Sequence, residues 1–205
     1  EVSGIPPIDF GRRLKYLLEY PHGCVEQTTS GAFPQLFIFD VMEVNDAVKA
    51  KTDENVKAAI NRLNSFLLSD GSMSYWPGSG SANPWGTTYA GHFLLEAEKK
   101  GFTLPAGFKS NWIKYQKKVA RSWEKVKSTE FWFYLSDLDQ AYRLYTLALA
   151  GEPEMGAMNR LRTTLWSNQA QWRLAAAYAL AGQMETAREL SEKAVVDVKH
   201  YTGFS

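Results

Sequence analysis

Residues 20–30 read Tyr20-Pro21-His22-Gly23-Cys24-Val25-Glu26-Gln27-Thr28-Thr29-Ser30, and the apolar series after them, Phe33, Leu36, Phe37, Val41 and Val44, recurs at helical spacing. A helix therefore begins close to Cys24, with Pro34 placed to kink its first turns. A cysteine in the first turn of a helix faces unpaired backbone N–H groups and the positive end of the helix dipole, both of which favour thiolate over thiol. Gln27 lies three residues on, a separation that sets the two side chains beside each other. A sulfur held against a carboxamide carbon can displace ammonia and leave an internal thioester, an acyl group open to a later nucleophile. Composition does not require this, because an inert buried thiol followed by a chance glutamine has the same spacing.

Working outward, Phe10, Leu14, Leu17 and Leu18 make an apolar face behind an N-cap at Asp9, and Val56, Ile60, Leu63 and Leu67 make another behind Asp53. Trp112, Val119, Trp123 and Val126 repeat along a helix opened by Pro105, while Lys114, Lys117, Lys118, Arg121 and Lys125 fall mostly elsewhere and read as a solvated face. Leu138, Ala141, Tyr142, Tyr145 and Leu149 run into Gly151 as a C-terminal cap, and a short helix around Met158, Leu161 and Leu165 follows Pro153. Residues 169–181 and 184–198, parted by Gly182 and Gln183, form a hairpin whose alanine-rich facing sides allow close approach. Residues 70–86 are too rich in glycine and proline for helix and too aromatic for a solvated linker, so Tyr75, Trp76 and Trp85 are expected to pack back onto the fold. No compositional break marks a second domain, and residues 1–205 are expected to form one all-helical domain.

Composition points the same way. Ala (22) and Leu (20) far outnumber Val (11) and Ile (5), a bias toward helix formers that makes the chain all-α. With 45% hydrophobic and 22% charged residues over 205 positions, there is enough apolar material for a well-filled core. Lys plus Arg number 23 against 22 Asp plus Glu, so charge gives no reason to expect a nucleic acid or an anionic membrane as partner. No apolar run approaches the roughly 20 residues that span a bilayer. The chain opens Glu1-Val2-Ser3 without a basic leader and is expected to be a piece of a larger multidomain protein. Cys24 has no second cysteine to pair with, and with His22, His92 and His200 scattered it cannot complete a structural zinc site.

Gly23-Cys24-Val25-Glu26-Gln27 resembles the Gly-Cys-x-Glu-Gln thioester motif of the alpha-2-macroglobulin and complement family. The whole of residues 20–30 is similar to the bacterial alpha-2-macroglobulin branch, and a weaker likeness runs through the helix pairs and the Gly71-Ser-Met-Ser-Tyr-Trp-Pro-Gly78 loop. The resemblance implies Cys24 as thiol donor and Gln27 as acyl donor, with Gly23 and Glu26 supporting the motif, Glu26 by positioning the turn. It implies an α/α toroid, helical hairpins in two concentric rings; the roughly nine helices read here are fewer than complete members use, so the ring is expected to be incomplete. Tyr20, His22 and Trp76 would shield the bond from water, His22 standing where bacterial members often have a second tyrosine.

By the same resemblance the activity is that of a broad-spectrum endopeptidase inhibitor, a trap and not an enzyme. A protease cuts a bait region elsewhere in the protein, the molecule rearranges, and the exposed thioester acylates a lysine on the attacker. The implied partners are the trapped protease, other domains of the same chain and, for some bacterial members, a penicillin-binding protein at the cell wall. No cofactor is implied. The expected location is the periplasm or cell envelope after export, through a membrane anchor outside these residues. Complement proteins use a downstream histidine as acyl carrier; residues 137–140 hold none, which favours direct transfer to amines.

Other residues suit other chemistry. His22 would serve as a substitute acyl carrier, although a loop histidine more often packs or meets solvent. His92 sits beside an apolar face and reads as a core histidine. Asp137 and Asp139 suggest the carboxylates of a glycan-active enzyme on the same type of toroid, but residues two apart on a helix diverge, and such residues commonly cap a helix start. The hairpin at residues 169–198 resembles one tetratricopeptide unit, which leaves a helical-repeat interaction module with an incidental cysteine as a different class of function.

Overall fold

A computed structural model of the protein describes residues 20–41, 43–124, 132–165 and 167–194, with side chains from Asp137 onward in the third stretch. Nine α-helices and no named strand occur among the described residues. The helix expected behind Asp9 lies outside them. Contacts divide the chain into two compact units, one ending at Trp112 and the other beginning at Ile113.

The first unit is built around α1 (Val25–Ala32). Pro34 breaks the helix as its missing N–H requires: Phe33–Phe37 tighten into a 3₁₀ turn before the short α2 (Ile38–Val41). Leu36 and Ile38 are buried, but Val41, expected on the apolar face, is 78% exposed, because the tighter 3₁₀ turn shifts the face that follows. α3 (Asp46–Asn64) starts behind Asn45, whose Oδ1 accepts the Val48 N–H at 2.9 Å. That is well before the expected cap at Asp53: the first turns are largely exposed and carry no apolar stripe to mark them. Val56, Ile60 and Leu63 are buried as their spacing predicts, whereas Leu67 falls past the helix end.

α4 (Pro84–Lys99) has Asn83 as N-cap and Pro84 at its first position, so the irregular segment ends earlier than residue 86. α1 packs against both α3 and α4. Gly86 makes the second contact possible, since a Cβ there would collide with the Val25 side chain. Gly91 plays the same part beneath the buried Trp112, whose indole N–H donates to the Thr87 carbonyl at 2.9 Å.

The loop before α4 meets its expectation only in part. Its buried anchors are backbone and small residues: the Met73 N–H donates to Thr87 Oγ1 (2.9 Å), the Asn83 N–H to the Met73 carbonyl (2.7 Å), and the Ser74 N–H to the Phe66 carbonyl (2.9 Å). With those bonds made inside and Met73 filling the core, Tyr75, Trp76 and Trp85 stay partly exposed, Tyr75 still reaching back to α1 through its carbonyl, which accepts the Val25 N–H, and Trp85 lying 4.9 Å from the Tyr89 ring.

α5 (Phe108–Ser122) begins three residues after Pro105, which accepts the Phe108 N–H in the preceding turn. In the second unit its basic residues divide. Lys114 and Lys118 are exposed, but Lys117 pairs with Glu152 (2.7 Å) and Arg121 grips Glu154 through two bonds (2.6 and 3.0 Å), so the face is not merely solvated. α6 (Trp132–Leu149) packs most extensively on α8 (Asn168–Leu180), which pairs with α9 (Met184–Lys193); α7 (Met155–Arg162) also packs on α6. The core here is Ala141, Leu144, Leu147, Met158, Leu161, Leu174, Ala177 and Tyr178 with their neighbours.

α6 is buried on a second face too, along Asp137, Gln140, Arg143 and Thr146. Arg143 donates to Gln116 Oε1 (3.0 Å) and Gln140 Oε1 (2.6 Å). Asp137 and Asp139 therefore sit well inside the helix and do not cap its start. Burial raises the Asp139 pKa and lowers that of Arg143, each shift opposed in part by their mutual attraction.

Candidate functional site

The turn into α1 depends on Gly23, whose φ of +88° is a conformation that L side chains rarely adopt. The chain then enters the helix with Cys24 as N-cap in extended geometry (φ −75°, ψ 177°). The Gln27 backbone N–H donates to Cys24 Sγ at 3.5 Å, and the Cys24 backbone N–H donates to Gln27 Oε1 at 3.1 Å. This is a capping box in which a sulfur takes the place usually held by a hydroxyl and the carboxamide closes the reciprocal bond. Cys24 and Gln27 are thus tied to each other across one turn at two points. Any Cβ on residue 23 would enter the space of the Gln27 carboxamide.

The two halves of the pair face different surroundings. Cys24 is only 2% exposed, while Gln27 and Glu26 lie on the surface. Tyr75 comes over from the loop: its carbonyl accepts the Val25 N–H at 3.1 Å, and its phenol hydrogen-bonds the Cys24 sulfur. That bond, then the negative charge of the sulfur when ionised, raises the Tyr75 pKa above the ordinary tyrosine value. Of the three residues expected as shields, Tyr20 is 59% and Trp76 50% exposed, and His22, also exposed, is engaged through Nδ1 with the Tyr20 carbonyl at 2.8 Å. Trp76 reaches the site indirectly, edge-on to Tyr75 with ring centroids 5.7 Å apart.

From the opposite side α3 supplies Arg62. Its Nη2 donates to the Gly23 carbonyl at 2.6 Å and its Nε to Thr28 Oγ1 at 3.1 Å, and the Thr28 hydroxyl donates to the His22 carbonyl at 3.4 Å. Neither Arg62 nor Tyr75 stood out in the sequence as a site residue, since each comes from far along the chain; the nearest hint was Tyr75 in an aromatic loop too structured for a linker. His92 packs edge-on to Phe33 (4.9 Å) and lies 4.0 Å from Glu96, half-buried at the edge of the core. Among the described residues no group of His, Cys, Asp and Glu is arranged to hold a metal ion.

The family model for the A-macroglobulin TED domain matches residues 8–128, which include the whole Cys24–Gln27 turn. Alpha-2-macroglobulin of Xylella fastidiosa (strain Temecula1 / ATCC 700964) is 30% identical over 179 residues, 82% of this chain. The chain belongs to the alpha-2-macroglobulin family. It spans about a tenth of that Xylella protein's length, and 6% of the Escherichia coli K12 alpha-2-macroglobulin, which is 34% identical over 108 residues. Among solved alpha-2-macroglobulins, the Salmonella protein reacted with methylamine superposes with a TM-score of 0.73 at 25% identity, covering 92% of this chain and 13% of that one. The E. coli protein activated by porcine elastase gives 0.75 at 25% identity, covering 94% and 18%. The fold is accordingly the α/α toroid of the alpha-2-macroglobulin TED region.

Proposed function

We propose that this chain is the thioester-bearing domain of a bacterial alpha-2-macroglobulin that traps proteases covalently. In the first step the Cys24 thiol attacks the Gln27 carboxamide carbon; the C–S bond forms, the C–N bond breaks, and ammonia leaves carrying the thiol proton. In the second, a lysine amine of the attacking protease adds to the same carbon, an isopeptide bond forms, and the C–S bond breaks to return the thiol. Each molecule reacts once, so it is a trap and not a catalyst.

The observation that carries the proposal is the reciprocal tie between Cys24 and Gln27, which sets sulfur and carboxamide on one helical turn with the sulfur out of water. It is supported by two solved relatives, a Salmonella alpha-2-macroglobulin reacted with methylamine, a small amine, and an E. coli one activated by porcine elastase. The partners are then the captured protease and the remaining domains of the full-length protein, with a cell-wall penicillin-binding protein as a further one, and the site of action is the periplasm or cell envelope. The bait region belongs to those other domains.

Intact-mass measurement of the full-length protein before and after methylamine tests this. The native mass is expected to be short by one ammonia; treatment should add one methylamine and release one titratable thiol at Cys24. No mass change and no new thiol would sink the proposal.

A further inference from the structure

We infer that the Cys24 backbone N–H is the oxyanion donor for the Gln27 acyl group and that Arg62 is a positioning residue which orients and polarises it; this rests on the thioester reading above. The two hydrogen bonds concerned belong to one peptide group. Its carbonyl end, on Gly23, accepts from Arg62 Nη2 at 2.6 Å; its N–H end, on Cys24, donates to Gln27 Oε1 at 3.1 Å. A cation on the carbonyl of an amide draws electron density through the conjugated group and makes the N–H a stronger donor. When sulfur or an amine adds to the Gln27 carbonyl carbon, the developing negative charge falls on the oxygen that this N–H faces, and a donor already in place needs no reorganisation.

Arg62 is held as a fixed strut. Its second arm is on the Thr28 hydroxyl, its guanidinium lies 5.6 Å from the centre of the buried Phe66 ring, and it is anchored in the last turn of α3. The short bond from Nη2 aims the guanidinium at the Gly23 carbonyl. Gly23 completes the arrangement: with no Cβ, it lets the carboxamide lie close against the peptide that serves it.

The test uses the full-length protein and two readouts: the rate of methylamine-triggered thiol release, and the thioester carbonyl stretch in the infrared difference spectrum between native and methylamine-treated protein. Losing a whole oxyanion donor slows acyl chemistry by about a hundred-fold or more; here the donor stays and only its polarisation goes, so Arg62→Gln is expected to slow release about ten-fold. The carbonyl band should move to higher wavenumber, and Arg62→Lys, which keeps the charge, should recover part of both changes. Should Arg62→Gln fail to fold, Arg62→Lys and Thr28→Val, which loosens one arm of the guanidinium, are expected to show smaller changes in the same directions. A wild-type protein that reacts normally beside variants with unchanged rate and band would overturn the role of Arg62 alone, as would slower release with an unmoved band. A wild-type protein with no thioester would remove the proposed function and this inference together.

Discussion

Gly23 is under two constraints at once: a backbone angle suited to glycine and no room for a side chain beside the Gln27 carboxamide. Gly23→Ala is expected to destabilise the fold by about 1–3 kcal/mol, read by denaturant titration, and to abolish methylamine-triggered thiol release by displacing the carboxamide. Undiminished release would show that this turn is not what joins sulfur to carbonyl. Tyr75 gives a pH test. With Cys24 as the free thiol, the difference in ultraviolet titration between wild type and Tyr75→Phe should place this phenol above the usual tyrosine value of about 10, and Cys24→Ala should bring it back. Because the folded value is the raised one, whatever stability the contact contributes is present below that usual value and is lost only as pH climbs through the folded value. The Cys24–Gln27 pair was legible in the sequence because its partners are one turn apart; Arg62 and Tyr75 were not, because nothing local links a residue to a partner several helices away.

At the scale of elements, the later part of α3 was legible from apolar spacing and the α8–α9 hairpin from its alanine-rich faces, whereas the apolar series after Cys24 falls in the 3₁₀ turn, α2 and beyond, not in α1; two further features were hidden for definite reasons. The first turns of α3 form on helix propensity and an Asn45 cap without burying a stripe, so hydrophobic period is silent there. On α6, Asp137, Gln140, Arg143 and Thr146 are polar residues at helical spacing that apolar period cannot assign to a buried face, yet all four are buried, with Gln116 and Gln140 taking the place of water around Arg143. The Arg121–Glu154 contact offers a prediction at this scale. Arg121, ahead of all other causes, pulls the Glu154 pKa below its ordinary value, so the stability it contributes is fully present above about 4.3 and disappears as pH falls through the lower folded value. The melting temperature of Glu154→Gln should fall below wild type at pH 7 and converge with it in acid; a gap that persists at low pH would mean the charge was not the cause.

At the scale of the whole molecule, this chain holds the Cys24–Gln27 turn in a helical frame and spans about a tenth of the length of its Xylella relative. Composition revealed that frame because toroids are made from ordinary helix-forming residues, but not its assignment, which needed the eleven residues at 20–30. The unequal placement of Cys24 and Gln27 has a consequence for any assay of the intact protein. Gln27 is a surface residue and Cys24 a buried one, so under the proposed chemistry the adduct would stay at the rim while the regenerated thiol remained inside. Small thiol reagents should follow amine uptake closely, whereas a bulky maleimide should lag behind it, because the sulfur is only 2% exposed. Equal rates for both reagents would mean that the sulfur is already at the surface once its bond is spent. A labelling experiment read at a single time point with a large probe would therefore undercount reacted molecules, and would time access to the sulfur, not the acyl transfer.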